Sequence, residues 1–253
     1  MLNKPALYLA LGDSMSIDLY PALDVGEIDV AVALERRVEA GSIAPLGAAS
    51  LLERNDDARY PEFAGRDLRT RWPDIERRDL AMDGATIGDV FGMQLPEIEE
   101  REDEVLATLT VGGNDLLSAF STQPRASLME RIVRDIARGY DALLDALRER
   151  LPRATLLLTT VYDPSDRTGR IPGLFEDAGP LPLRHLDTLN ARIRDAARGR
   201  EGMLLADVYV HFLGHGATVP PDERWYWRRS QIEPSAVGAS EIRRTWVDAL
   251  ELD

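Results

Sequence analysis

The stretch Leu7-Tyr8-Leu9-Ala10-Leu11-Gly12-Asp13-Ser14 decides how the rest of the chain is read. Five apolar residues without polar alternation read as a strand covered on both faces. Gly12-Asp13-Ser14 then closes the run as a sharp turn. Such a turn leaves the Ser14 hydroxyl at the C-terminal edge of a sheet, where open α/β folds place their ligands. Two further apolar runs end in glycine-bearing turns. Leu80-Ala81-Met82 precedes Asp83-Gly84-Ala85-Thr86, and Val105–Val111 precedes Gly112-Gly113-Asn114-Asp115. Taken singly, each is an ordinary turn, and Ser or Asp there can simply cap a helix. Taken together, they carry a candidate nucleophile, Ser14, and two candidate oxyanion donors, Gly84 and Asn114.

Working outward, apolar runs recur along the chain with helical patterns between them. The expected strands are Leu7–Leu11, Asp79–Met82, Val105–Val111, Ala154–Val161 and Met203–Val208. The clearest helix is Ser127–Leu151, with Ile132, Ile136, Tyr140, Leu143, Leu144 and Leu147 on one stripe. Leu183–Arg198 is a second, and the last helix starts at Ser235 or Ala236 and carries Ile242, Trp246 and Leu250. Alternation of this kind predicts a parallel sheet with right-handed crossovers, in one domain spanning residues 1–253. Two long connections, Asp18 to Arg59 and Tyr162 to Pro182, start at or just after chemistry-bearing strand ends. Both read either as shaping a pocket or as plain surface excursions.

Composition narrows the function classes. At 253 residues and 44% hydrophobic, the chain has enough material for a core without staples. It has no cysteine, which excludes disulfides, thiolate metal sites and a cysteine nucleophile. The formal net charge of -14 argues against a nucleic-acid partner and against strongly anionic lipid surfaces. No segment has the apolar length of a membrane span. Met1–Pro5 runs straight into the first strand, so no signal peptide is read and a cytoplasmic location is the default expectation.

With Gly12-Asp13-Ser14, Gly84 and Gly112-Gly113-Asn114-Asp115 in this order, the chain resembles the SGNH, or GDSL, hydrolases. The resemblance implies a three-layer α/β/α fold, flavodoxin-like, with a five-stranded parallel sheet. It also implies hydrolysis of a small-molecule carboxylic ester through an acyl-enzyme, without a cofactor or metal. The family's last block, Asp-x-x-His-Pro before the final helix, falls at Ser230-Gln231-Ile232-Glu233-Pro234. Pro234 and the later Gly238 match it. Ser230 stands where Asp is expected, and Glu233 stands where His is expected.

The chemistry follows from residue types. Ser14 attacks an acyl carbonyl once a base takes its proton. The backbone N–H groups of Ser14 and Gly84 and the side-chain amide of Asn114 can stabilise the oxyanion. Gly suits a close backbone approach, and Asn donates without charge. The base has three readings. Glu233 can deprotonate Ser14 directly, which requires burial to raise a carboxyl pKa from about 4.3. Alternatively His215 reaches Ser14 while Glu233 orients the imidazole. In the third reading the base is lost, and Glu233 pairs with an arginine such as Arg228 or Arg243. His185 reads as a structural or exposed helix-start residue. His211 and His215 share a face with Asp207 if a helix continues, but Gly214 and Gly216 argue against that metal site. Two functional alternatives stand beside the esterase: a non-catalytic binding module, and an acyltransferase to an alcohol or sugar. Nothing in the sequence sets an oligomeric state.

Overall fold

The protein is described by a computed structural model that covers residues 3–28, 43–122, 125–174 and 179–252. The chain enters through β1 (Leu7–Gly12) and passes α1 (Leu19–Asp24), α2 (Ala48–Glu53) and α3 (Leu68–Arg71). Next come β2 (Glu76–Asp79), α4 (Ile87–Asp89) with a π-turn over Val90–Gln94, and β3 (Val105–Thr110). Then follow α5 (Gly113–Ser121), α6 (Ala126–Arg150) and β4 (Ala154–Thr159). The chain ends with α7 (Arg184–Gly199), β5 (Met203–Ala206), α8 (Val208–Phe212) and α9 (Ala236–Ala249).

The five strands form one all-parallel sheet in the order β2-β1-β3-β4-β5. Alternation along β1 splits the core between its faces. Leu7, Leu9 and Leu11 point to one face, where Tyr140, Leu143, Leu144 and Leu147 of α6 and Leu189 and Ile193 of α7 cover them. Tyr8 and Ala10 point to the other, beneath Leu51 and Leu52 of α2 and Ile242, Trp246 and Val247 of α9. The result is the expected three-layer α/β/α arrangement. Among the described residues, no helix is long and apolar enough to cross a membrane.

Two expectations are corrected. The second strand is Glu76–Asp79 and not Asp79–Met82. It lies at the sheet edge and pairs only with β1, so one side of each residue faces water and charged side chains are tolerated. Leu80–Met82 form a connecting stretch that still donates to β1, from Leu80 N–H to the Ala10 carbonyl at 2.9 Å and from Met82 N–H to Gly12 at 3.0 Å. The connection from Asp18 to Arg59 contains α1 and α2. Ala48–Leu52 of α2 are all buried, so this short helix has no polar face and shows no amphipathic stripe. Residues 29–42 of that connection, and 175–178 of the later one, lie outside the described residues.

Candidate active site

Three strand ends meet at one edge of the sheet. At the first, Gly12 has φ +116°, and a Cβ there would stand 1.7 Å from the Thr110 carbonyl oxygen, so only glycine fits. The Gln94 side chain grips this residue from both sides. Gly12 N–H donates to Gln94 Oε1 and Gln94 Nε2 donates to the Gly12 carbonyl, each at 2.8 Å. Asp13 N–H reaches the Thr110 carbonyl at 2.8 Å, and Asp13 Oδ1 accepts the Met15 N–H at 3.1 Å. Burial pushes the Asp13 carboxyl up to about 7, against the pull of those hydrogen bonds. Ser14 is thereby held at the end of a strand whose last turn is bonded on every side.

At the second and third strand ends, the Gly84 loop and the start of α5 are tied together. Asn114 Nδ2 donates to the Ala85 carbonyl at 3.1 Å, and Ile87 N–H donates to Asp115 Oδ2 at 3.1 Å. Thr86 and Asp89 form a reciprocal capping box at the start of α4. Tyr20 Oη donates to Asp83 Oδ1 at 2.9 Å from the opposite side. Gly84 has φ +71°, and a Cβ there would face open space. The Asn114 amide carries two N–H groups, so one stays free for a ligand after Ala85 is satisfied.

Glu233 sits on a segment fixed on both flanks. Trp227 N–H donates to the Glu233 carbonyl at 2.8 Å, and Tyr162 Oη donates to the Ile232 carbonyl at 2.6 Å. Ser235 then caps α9 by accepting from Gly238 N–H at 3.1 Å. The Glu233 residue is 8% exposed, and its Oε2 is buried without a hydrogen-bond partner. Desolvation pushes its pKa from 4.5 up to about 7, and the nearby Asp83 and Asp13 charges push the same way. The Ser14 side chain draws it down, and the two residues line the same cleft.

Ser14, Asn114 and Glu233 open onto one cleft of about 660 Å³, part of it open to solvent. Its walls include Leu116, Leu117 and Phe120 of α5, Ile171 and Leu181 of the later long connection, and Leu186 of α7. That connection therefore shapes the cleft. The described residues of the connection from Asp18 to Arg59 do not line it, and act instead through Tyr20 on Asp83.

The histidines go elsewhere, and this corrects the second reading of the base. His215 does not line the cleft; its ring stacks flat on Trp225, with centroids 3.5 Å apart. His211 Nε2 pairs with Glu241 at 2.7 Å, and Asp207 with Arg194 at 2.8 Å, so Asp207, His211 and His215 do not converge. His185 is buried, 4% exposed, with Nε2 unpartnered. The arginine reading also fails: among the described residues no arginine pairs with Glu233. Arg243 is taken by Asn55, Ser240 and the Phe63 ring. Sequence reasoning missed Gln94 and Tyr162, the residues that hold the backbone at Gly12 and Ile232. Gln94 carries no local signal, because its partner is 82 residues away. Tyr162 does directly follow the apolar run of β4.

A family model described as the GDSL-like lipase/acylhydrolase family matches residues 40–240. The chain belongs to the GDSL-like lipase/acylhydrolase family. It is an ester-acting hydrolase of that family. The matched span takes in Gly84, Asn114 and Glu233, while Ser14 lies before it. No curated protein matches the chain significantly. Solved structures share the fold at low identity. A variant of an acetyl xylan esterase from Geobacillus stearothermophilus aligns with TM-score 0.63 and 14% identity, covering 100% of this chain and 97% of that one. An extracellular lipase from Streptomyces rimosus aligns at 0.54 and 20%, covering 97% and 98%. A phospholipase A1 from Streptomyces albidoflavus NA297 aligns at 0.55 and 20%, covering 98% of each.

Proposed function

We propose that this GDSL-family chain hydrolyses carboxylic esters through an acyl-enzyme on Ser14, with Glu233 as the general base. The observation that carries the proposal is the Glu233 carboxyl, buried beside Ser14 in a cleft lined, among the described residues, by no histidine, lysine or arginine. A carboxylate near its ordinary pKa is a poor acceptor for an alcohol proton. One raised to about 7 is matched to neutral pH, where it is both available as a base and a useful acid afterwards.

The steps follow from the geometry. Ser14 Oγ attacks the ester carbonyl carbon while Glu233 takes its proton. The carbonyl oxygen becomes an oxyanion, which the N–H groups of Ser14 and Gly84 and the free Asn114 N–H can hold. Collapse breaks the bond to the alcohol oxygen, and Glu233 returns its proton to the departing alkoxide. Water then attacks the acyl-enzyme while Glu233 again takes a proton; the bond from Ser14 Oγ to the acyl carbon breaks, Glu233 returns that proton to Ser14 Oγ, and the carboxylic acid leaves. A single carboxyl serves as base and then acid in each half. Among the described residues no histidine lines the cleft, in keeping with the absence of the usual Asp and His from the last block.

The test is trapping with an organophosphonate, followed by mass spectrometry of the Ser14 peptide. Labelling should be fast in the native protein, absent in Ser14→Ala, and at least about 10²-fold slower in Glu233→Gln, as expected when a general base is removed. Labelling of Glu233→Gln at the native rate would remove Glu233 from the chemistry. Absence of any adduct would favour the binding-module reading. Added alcohols that accept the acyl group would point to acyl transfer.

A further inference from the structure

The cleft has a polar end and an apolar body. Asp13, Ser14, Asn114, Asp163 and Glu233 gather where the strands end. Beyond them the lining is aliphatic and aromatic, from Asn114 down α5 to Phe120 on one side and from Leu183 to Leu186 of α7 on the other. Asp163 is already engaged, because its carboxylate accepts from Ser165 N–H, Ser165 Oγ and Arg167 N–H. It therefore offers little to a ligand. Part of the cleft's space is open to solvent, so the length and charge of its walls, and not its volume, decide what it holds.

Two measures set the occupant. Six residues separate Asn114 from Phe120, and a helix rises about 1.5 Å per residue, so this wall is about 9 Å long. An extended alkyl chain with C–C bonds of about 1.5 Å advances about 1.3 Å per carbon, so roughly seven carbons fit. Charge supplies the second measure. Among the described residues no Lys, Arg or His lines the cleft, while three carboxyl residues do. An anion on the acyl chain would be desolvated without a partner, and an anionic alcohol moiety would be repelled at the mouth. The carboxylate product meets the same repulsion and is helped to leave.

We infer that the cleft takes an uncharged, unbranched acyl chain of about six to eight carbons, lying along α5 from Asn114 to Phe120, esterified to an uncharged or cationic alcohol. The inference rests on Ser14 as the nucleophile. It makes α5 the specificity element and Phe120 the residue that ends the chain.

The experiment is kcat/KM for 4-nitrophenyl esters from acetate to dodecanoate. The constant should rise about threefold per methylene up to hexanoate or octanoate, as expected for burial of each CH₂, and fall beyond. Leu117→Trp, at a half-buried position, should lower the octanoate-to-acetate ratio by about tenfold or more by filling the cleft. Phe120→Ala should move the optimum to chains longer by roughly two to four carbons, by opening its end. A Ser14-dependent profile that is flat or falls from acetate to octanoate would overturn the inference and leave the nucleophile intact. Absence of turnover on every ester would instead sink the Ser14 and Glu233 chemistry. The cleft would then be read by calorimetric binding of octanamide against acetamide, both uncharged and resistant to hydrolysis. Octanamide binding about tenfold tighter or more supports the acyl site, and equal or weaker binding overturns it.

Discussion

On one side of Ser14, the Gly84 loop is tied by Tyr20 to Asp83, by Asn114 to Ala85 and by Asp115 to Ile87, and it carries its own capping box. On the other side, Glu233 holds a fixed backbone but a carboxyl whose Oε2 is buried without a partner. The donor side is satisfied before a substrate arrives, so under the proposed mechanism it would meet a developing oxyanion without rearranging. The Glu233 side is left in an environment that disfavours its charge, and that same environment raises its pKa. Under the proposed mechanism, the contrast is one of stability given up on the Glu233 side for reactivity.

The largest expected effect tests the residue between the two sides. Ser14→Ala should lower turnover of a short aryl ester by at least about 10³-fold, as removal of a covalent nucleophile does. Undiminished turnover would end the acyl-enzyme reading. Next is the base side. Glu233→Gln should lower kcat by about 10²–10⁴-fold, and native activity should rise with pH through the Glu233 pKa of about 7. A pH profile that rises only near the ordinary carboxylate range would show that burial does not set the working pKa. On the donor side, Asn114→Ala should lower kcat by about 10²–10³-fold with little change in KM, because the contact strengthens in the transition state. A change confined to KM would make Asn114 a ground-state contact.

A stability measurement sharpens the contrast further. The folded-state pKa of Glu233 lies above its unfolded value, so the native state binds more protons between about 4.5 and 7. Stability attached to this group is therefore present at low pH and is lost as pH rises through about 7. Glu233→Gln should gain on the native protein between pH 5 and pH 8, by on the order of 1–3 kcal/mol, measured by urea unfolding. Equal pH dependence of the two proteins would show that the carboxyl is not strained. His215→Ala, at the ring stacked on Trp225, should change turnover by less than about threefold, in keeping with a side chain outside the cleft. A severe loss would return His215 to the base position.

Much of this architecture was legible from the chain. The runs at Leu7, Val105, Ala154 and Met203 are apolar because β1, β3, β4 and β5 are covered by core, and each expected strand overlaps the observed one. The long helix α6 announces itself by its stripe and matches the expectation within one residue at each end. β2 was misplaced because an edge strand of Glu76-Arg77-Arg78-Asp79 needs no apolar residues. Among the described residues, α1 and α2 before Arg59 leave no trace in the sequence pattern because they are too brief for a period to show. The turns bearing Ser14, Gly84 and Asn114 were readable as a set, because tight turns restrict residue types locally.

What the sequence determined by itself is therefore the sheet, the order of its chemistry-bearing turns, and the absence of the usual Asp and His before α9. Those depend on neighbouring residues, through periodicity and turn sterics. What only the tertiary structure decided is which group faces Ser14. His215 and Glu233 were equally available on paper. One ring stacks on Trp225, while the other side chain is buried against Ser14 with Asp13 and Asp83 nearby. The raised pKa of Glu233 arises from desolvation by segments brought together from distant parts of the chain, and no local pattern encodes desolvation.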